Sequence, residues 1–512
     1  MALPSPTDPI ETPTGTQTDP RDEGVASAVS EPTISSGAAP AAALESNRAK
    51  APADAPPRRA PKPGRWLSQV VEFVYRLADS TLATPRVAVA VSLAGIVLVM
   101  LVGIFSPNYN TLPRVPANDA YVAVVLPLSD HLGRLPDWAS IAMTFLAIIL
   151  QCLGLAGLLW ANSRGWRPNP RHLFLAACVI VAIMVNITPV GSSDTTSYAA
   201  YGRMANVGID PYANGPSQLS PNKGPYLLGP GDLYRLVVGP MWQSTSSVYG
   251  PLATWVQQLA AHFGGSANPA AAVSALMWVA NPVLIQQLVA GGHLDTYVAA
   301  ATVVGVQIAR SGKGGWRFLW VGVAIGAGCC FKINAAFAGV AIGWVLLMRR
   351  EWWSLARLAL GGLGTVALFY SFYGLHAFKQ LTAASSLVAT PSPWRLFQLA
   401  VESVFDLFGA NSTGQAVTTD LISVTWPILM IVVAVLIYRQ FSPEQNALVT
   451  VPFALSFAWV IVAPWGLPWY AAVSWVILAL VPRNPMTRWL TLVTVYLALM
   501  HCSGGGPAPW AN

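Results

Sequence analysis

The chain has 512 residues, of which 54% are hydrophobic and only 10% charged, where about a quarter charged is usual in soluble domains. That balance excludes an ordinary soluble enzyme, and repeated apolar runs long enough to cross a hydrocarbon core of roughly 30 Å indicate a polytopic membrane protein. The net charge of +7 comes from 29 Lys and Arg against 22 Asp and Glu. The cations gather before the first run and in short loops, which reads as membrane orientation and excludes nucleic acid as a partner.

Residues 1–62 are rich in Ala, Pro, Thr and Ser and poor in aromatic and branched apolar side chains, so they cannot bury enough surface to offset ordering entropy. A disordered cytoplasmic tail is expected. Over 63–80, Trp66, Val70, Phe73, Val74 and Leu77 recur at helical spacing beside Arg65 and Arg76, predicting an amphipathic juxtamembrane helix on the membrane surface. The first long apolar run begins near Arg86, where membrane insertion is expected to start.

The region 86–502 is expected to be an all-α transmembrane domain of about 13 helices. The runs lie near 86–105, 139–161, 173–190, 251–263, 270–290, 294–309, 316–331, 333–348, 354–374, 424–439, 447–464, 468–482 and 488–502. Alternating outward from a cytoplasmic N-terminus places Arg164, Arg167 and Arg171 inside, followed by Arg310, Lys313 and Arg317, then Arg349 and Arg350, Arg439, and Arg483 and Arg488. The C-terminus and the loops 106–138, 191–250 and 375–423 then face outward. The five cysteines, Cys152, Cys178, Cys329, Cys330 and Cys502, lie in or beside apolar runs without metal or redox spacing, and read as small hydrophobes.

The outward segment 191–250 opens with GSSDTTSYAAYGRMANVGIDPY, Gly191 to Tyr212. Ser192 or Ser193 can cap a short helix on which Asp194, Tyr198 and Tyr201 share one face at i, i+4 and i+7. Gly208 ends that helix, and Asp210-Pro211 makes a turn. Asp194 has two readings here, a cap at the first turn or a general base facing a sugar hydroxyl. Lys332 lies between two apolar runs near the outward face, where it must snorkel to the headgroups or meet an anion such as a lipid phosphate. His293 and Asp295 stand at the outward start of a span, where Asp295 reads as a helix cap and His293 as open to phosphate. Arg203 is a further donor on that side, otherwise a solvated loop arginine. In 375–423, Trp394, Phe397, Val401, Val404, Phe405 and Phe408 form a stripe opposite Arg395, Glu402 and Asp406, predicting an amphipathic helix on the outer surface.

These motifs resemble bacterial GT-C glycosyltransferases that use polyprenyl-phosphate sugars. In that family an acid precedes a Tyr by four, followed by Gly-Arg and Gly-x-Asn-Pro-Tyr; Asp194, Tyr198, Gly202-Arg203, Gly208 and Pro211-Tyr212 match that order. Tyr249, Gly250 and Pro251 resemble its Tyr-x-Pro-Leu, His293 and Asp295 its Gly-His-Asn-Asp, Lys332 its lysine after an apolar helix, and Pro468-Trp469-Tyr470 its Pro-Trp-Tyr. The nearest subgroup is the actinobacterial α-1,6-mannosyltransferases fed by polyprenyl-phosphomannose, with a membrane family associated with carotenoid genes equally near. The chain departs from the pattern at Ser193, where an acid is common, at Ser197 for Arg, and at Leu294 for Asn, which leaves Asp194 as the sole acid of its motif.

The resemblance implies a GT-C fold and inverting transfer of mannose from polyprenyl-phosphomannose to a glycolipid or α-1,6-mannan acceptor of lipomannan type, outside the plasma membrane. No metal or other cofactor is expected, because a sole carboxylate at Asp194 rarely holds a divalent ion alone. The same resemblance implies Asp194 as catalytic base, with Asp119 of the first outward loop in reserve. Lys332, Arg203 and His293 would hold the donor phosphate. Tyr198, Tyr201, Asp210, Tyr212, Tyr249, Asp295, Trp469 and Tyr470 would line the substrate pocket. A flippase of lipid-linked sugar is the alternative from another class, although transporters usually carry polar groups at mid-membrane and related halves. A noncatalytic scaffold with the same fold is the third reading.

Overall fold

The computed structural model describes residues 84–106, 108–111, 135–184, 187–192, 194–219, 232–264, 293–379, 387–389, 392–481 and 484–501. The chain divides into Met1–Arg65 and Trp66–Asn512, and all described residues belong to the second unit. The expected tail, the juxtamembrane helix, the apolar run 270–290, Asp119, Ser193 and Cys502 lie outside the described residues.

Among the described residues every regular element is helical, apart from an isolated antiparallel bridge between Thr111 and Val190. The α-helices are α1 (Pro85–Ile104), α2 (Asp137–Ser163), α3 (Pro170–Met184), α4 (Asp194–Asn206), α5 (Leu233–Leu236), α6 (Pro251–Gly264), α7 (Asp295–Ser311) and α8 (Arg317–Cys329). They continue with α9 (Ala336–Met348), α10 (Trp352–Tyr370), α11 (Pro393–Asp406), α12 (Asn411–Tyr438), α13 (Ala447–Val462), α14 (Ala471–Leu478) and α15 (Met486–Met500). Short 3-10 turns at Ile333–Ala335, Leu375–Phe378 and Pro468–Tyr470 break the chain at the ends of the longer helices.

Local chemistry sets several of these boundaries. Thr84 caps α1 by accepting from the Val87 N–H, with Pro85 at the first helical position. Asn446 caps α13 through Leu448 N–H at 3.0 Å. At the end of α4, Gly208 takes φ +77°, the Ile209 N–H reaches Met204 O at 2.9 Å and the Gly208 N–H reaches Ala205 O at 3.3 Å, the paired pattern that closes a helix over a left-handed residue.

Among the described residues four helices, Pro85–Ile104, Asp137–Asn162, Trp352–Tyr370 and Ser412–Tyr438, are long and apolar enough to cross a membrane, where about 13 spans are expected over the whole domain. Six further apolar helices of 10–17 residues, among them Arg317–Cys329 and Ala447–Val462, coincide with expected runs but are shorter than a full crossing, and the run 270–290 lies outside the described residues. Large apolar side chains point outward on the long helices, Leu360 and Leu363 on α10 and Val424 and Ile428 on α12, the exposure expected of surfaces that lipid covers.

The buried side chains form two main cores. One joins α7, α8, α9 and α12 to α15 and includes Val298, Val321, Ile342, Phe453 and Ile477. The other joins α1 to α4 and α6 through Val102, Ala147, Tyr198, Met204 and Ala260. Phe331, at the break between α8 and α9, packs against both.

Candidate active site

The site lies along the seam marked by Phe331. Its first wall is α4. The Asp194 N–H donates to Ser192 Oγ at 3.1 Å, which starts the helix and places Asp194 in its first turn. One turn on, the Tyr198 hydroxyl donates to Asp194 Oδ2 at 3.4 Å, the i, i+4 contact read from spacing. Tyr201 turns elsewhere, with its hydroxyl donating to Thr245 O at 2.9 Å.

The second wall is the start of α6. The Gly250 and Leu252 N–H groups donate to Phe331 O and Cys330 O, each at 3.0 Å. This docking presses Gly250 so closely on Cys330 that a Cβ there would collide with the Cys330 carbonyl. The preceding Tyr249 is thereby set edge-on to Tyr198, ring centroids 4.8 Å apart.

The third wall brings together residues far apart in sequence. Lys332, in extended backbone between α8 and α9, donates to Asp295 Oδ2 at 2.9 Å and Oδ1 at 3.2 Å. Asp295 is expected from sequence to cap α7, yet the N-cap position falls to Leu294, and the Asp295 carboxylate, in the first turn, instead meets Lys332. With Asp295 0% and Lys332 13% exposed, the pair is one in which each charge requires the other. The Lys332 ammonium also faces the Tyr470 ring at 4.3 Å and the Tyr249 ring at 5.9 Å. His293 stacks on Trp469 at 3.5 Å and points Nδ1 to within 3.4 Å of Asp194 Oδ2.

Asp194, Tyr198, Tyr249, His293, Asp295, Lys332, Trp469 and Tyr470 are thus joined by a chain of contacts. Exposure separates their roles, since the Asp194 side chain is 34% exposed while that of His293 is 1%. Enclosure by protein raises the Asp194 carboxyl, but His293, Lys332 and Tyr198 outweigh it and hold the group below its ordinary value of 3.8. Burial, reinforced by the nearby carboxylate, pushes the Tyr198 and Tyr249 phenols well above 10, so both remain neutral hydrogen-bond donors.

The other candidates occupy two separate places. Arg203 is buried and donates through Nε to Asp232 Oδ2 at 3.2 Å, an anchor between α4 and the cap of α5. Asp210 accepts from the Tyr212 N–H at 2.8 Å and pairs with His376 Nε2 at 2.6 Å, while the Tyr212 hydroxyl meets Thr254 Oγ1 at 2.7 Å. His376 escaped the sequence reading because no spacing connects it with residue 210; only the fold does so. Among the described residues no three His, Cys, Asp or Glu side chains converge as a metal-ligand set.

Fold and site together define an all-helical membrane protein with a charge-paired cluster where helix ends meet. The family described as "Alpha-(1->6)-mannopyranosyltransferase, N-terminal domain" matches residues 92–276 and 257–348, together just over half of the chain. The chain belongs to this family. Over 203 residues it is 29% identical to alpha-(1->6)-mannopyranosyltransferase A of Corynebacterium glutamicum, covering 32% of this chain and 37% of that protein. Over 154 residues it is 28% identical to an alpha-(1->6)-mannopyranosyltransferase of Mycobacterium tuberculosis, covering 24% of this chain and 25% of the relative. The matches therefore span between a quarter and two fifths of these relatives' length. No solved structure matches the chain. The resemblance to actinobacterial α-1,6-mannosyltransferases read from the motifs is borne out.

Proposed function

We propose that the chain is a mannosyltransferase that moves mannose from polyprenyl-phosphomannose to an α-mannan or glycolipid acceptor at the outward face of the plasma membrane. The observation that carries this reading is the partly exposed carboxylate of the cluster, Asp194, whose pKa is lowered by His293, Lys332 and Tyr198 beside the lysine-bearing break. The acceptor oxygen attacks the anomeric carbon while the bond from that carbon to the phosphate oxygen breaks, and polyprenyl phosphate leaves with the electron pair. Asp194 receives the acceptor's hydroxyl proton, and one displacement converts a β-linked donor into an α product. A carboxylate with a lowered pKa is a weak base, so the proton moves late, once the attacking oxygen has become positive.

Lys332 has three N–H donors, of which two are given to Asp295 oxygens, and the third serves the leaving phosphate. His293, shut away against Trp469, keeps Asp194 ionised and oriented instead of meeting the acceptor itself. Tyr198 and Tyr249 donate to sugar or carboxylate oxygens. Arg203 acts through its bond to Asp232, fixing the far end of α4.

The test is transfer of radiolabelled mannose from synthetic polyprenyl-phosphomannose to a short α-mannoside by the purified full chain. Asp194→Asn keeps the shape and is expected to lower transfer by roughly 10²–10⁴-fold without loss of folding. Wild-type rates in this variant would remove Asp194 from the base role, and absence of transfer by wild-type protein that still binds the donor would point to a flippase or scaffold.

A further inference from the structure

At the other end of α7 from the site, about 25 Å away by the rise of a 17-residue helix, three arginines from different helix ends line one cavity. Arg310 comes from the last turn of α7, Arg317 opens α8 and Arg349 follows α9; the first turn of α13, from Ala447, forms another part of the wall. The cavity measures about 490 Å³ and has Glu444 as its carboxylate.

Local structure accounts for Arg310, which donates from Nη1 to Leu480 O at 3.0 Å, just past the C-terminus of α14, where a cation is favoured. It accounts for Arg317 in part, through a carbonyl at the C-terminal end of α7 and the Phe318 ring 4.7 Å away. Arg317 occupies the first position of α8, where the positive end of the helix dipole opposes a cation. Its Nη1 donates to Gly312 O, but among the described residues its buried Nε–H has no hydrogen-bond partner. Among the described residues Arg349 reaches Glu351, at 4.0 Å and at the surface. Three guanidinium groups and the first turn of α13 therefore bring positive charge to one open pocket, whose lining sets against them the Glu444 carboxylate and the C-terminal ends of α7 and α12. Such an arrangement is complementary to a multiply charged oxyanion.

We infer that this cavity is an anion site for a phosphate group, held by Arg310, Arg317 and Arg349 against the first turn of α13. The same chemistry is offered by the phosphodiester of an anionic phospholipid and by free phosphate or pyrophosphate, and the two sources can be separated. The inference is independent of the transfer reaction, because no residue of the cavity belongs to the cluster around Asp194.

The experiment places the full chain in phosphatidylcholine nanodiscs. One arm adds phosphatidylglycerol and measures lipid retained after delipidating washes by native mass spectrometry; the other titrates inorganic phosphate and pyrophosphate calorimetrically. Arg317→Gln and Arg349→Gln are compared with wild type and with Lys313→Gln, a neighbouring exposed cation outside the cavity lining. Loss of a charge-assisted hydrogen bond is expected to weaken binding about tenfold or more in either arginine variant and to leave Lys313→Gln unchanged. Retained phosphatidylglycerol with that pattern assigns a lipid headgroup, and calorimetric binding with that pattern assigns a soluble phosphate. Equal binding by wild type and both arginine variants in both arms, or an equal loss in Lys313→Gln, overturns the site. Melting temperature in plain phosphatidylcholine screens each variant for folding, and a misfolded one is replaced by Arg310→Gln.

Discussion

At the scale of single residues, the site depends on two pairings of different character. Asp194 and Tyr198 meet because one helical turn separates them, so the contact was legible from spacing. Lys332 and Asp295 are 37 residues apart, and nothing local reveals their partnership. The need of an apolar-flanked lysine for an anion was readable, but the anion is the protein's own carboxylate. Lys332→Met would leave the fully buried Asp295 unpaired, at a cost of about 3–5 kcal/mol in unfolding free energy. Adding Asp295→Leu should restore much of that stability while transfer stays low. Recovery of both would reduce the pair to structure alone. The lowered pKa of Asp194 gives a second prediction. Its ionised form persists until pH falls through a value below 3.8, so the acidic limb of kcat/KM due to this base lies in that range and the profile is level from pH 7 to 5. Replacing His293 by Gln removes the leading neighbour holding the pKa down and should move the limb to higher pH. A wild-type limb centred near pH 6 would assign it to another group.

At the scale of elements, hydropathy located the helices well and their ends poorly. A described helix meets each apolar run outside 270–290, because burial against lipid and protein imposes the same composition along its whole length. The run 424–439, however, belongs to a helix that begins at Asn411, since the polar residues before the span contain no proline to stop it. The predicted amphipathic stripe is realised as α11, capped by Ser392 and tied to α13 through Trp394 Nε1 donating to Val462 O at 2.7 Å. The joint between α6 and the α8–α9 break could not be seen in sequence, because it consists of backbone groups that every residue possesses. Gly250 is the side-chain condition for that joint. Gly250→Ala should cost about 1–3 kcal/mol through the forced contact with Cys330 and lower transfer as well, by moving Tyr249 from Tyr198. Gly208→Ala, strained only by its left-handed backbone, should cost about 1–2 kcal/mol and leave the cluster intact. Thermal unfolding in detergent alongside the transfer assay separates the two. Identical behaviour of both variants would mean that the α6 joint does not position the site.

At the scale of the molecule, the helices connect two chemically different ends. Asp295 begins α7 in the cluster around Asp194, and Arg310 ends it in the arginine-lined cavity. The basic loops that alternate along the sequence are partly gathered there, since Arg310, Arg317 and Arg349 line one space beside Tyr438 and the start of α13. The proposed function requires that end to be cytoplasmic, as the clustering of Lys and Arg in short loops predicts, and Asp194 to face outward, where the proposed lipid-linked donor would be used. The orientation is testable without activity. Lys313→Cys marks the arginine-rich end, and Leu375→Cys, at a position 85% exposed just beyond the opposite end of α10, marks the site end. In right-side-out vesicles a membrane-impermeant maleimide should label the cysteine at 375 and reach the one at 313 only after permeabilisation. Cys329 and Cys330 are buried and contribute little background. The reverse pattern would set Asp194 on the side supplied with soluble nucleotide sugars and remove the physical reason for a polyprenyl-phosphate donor, even if Asp194→Asn still abolished transfer.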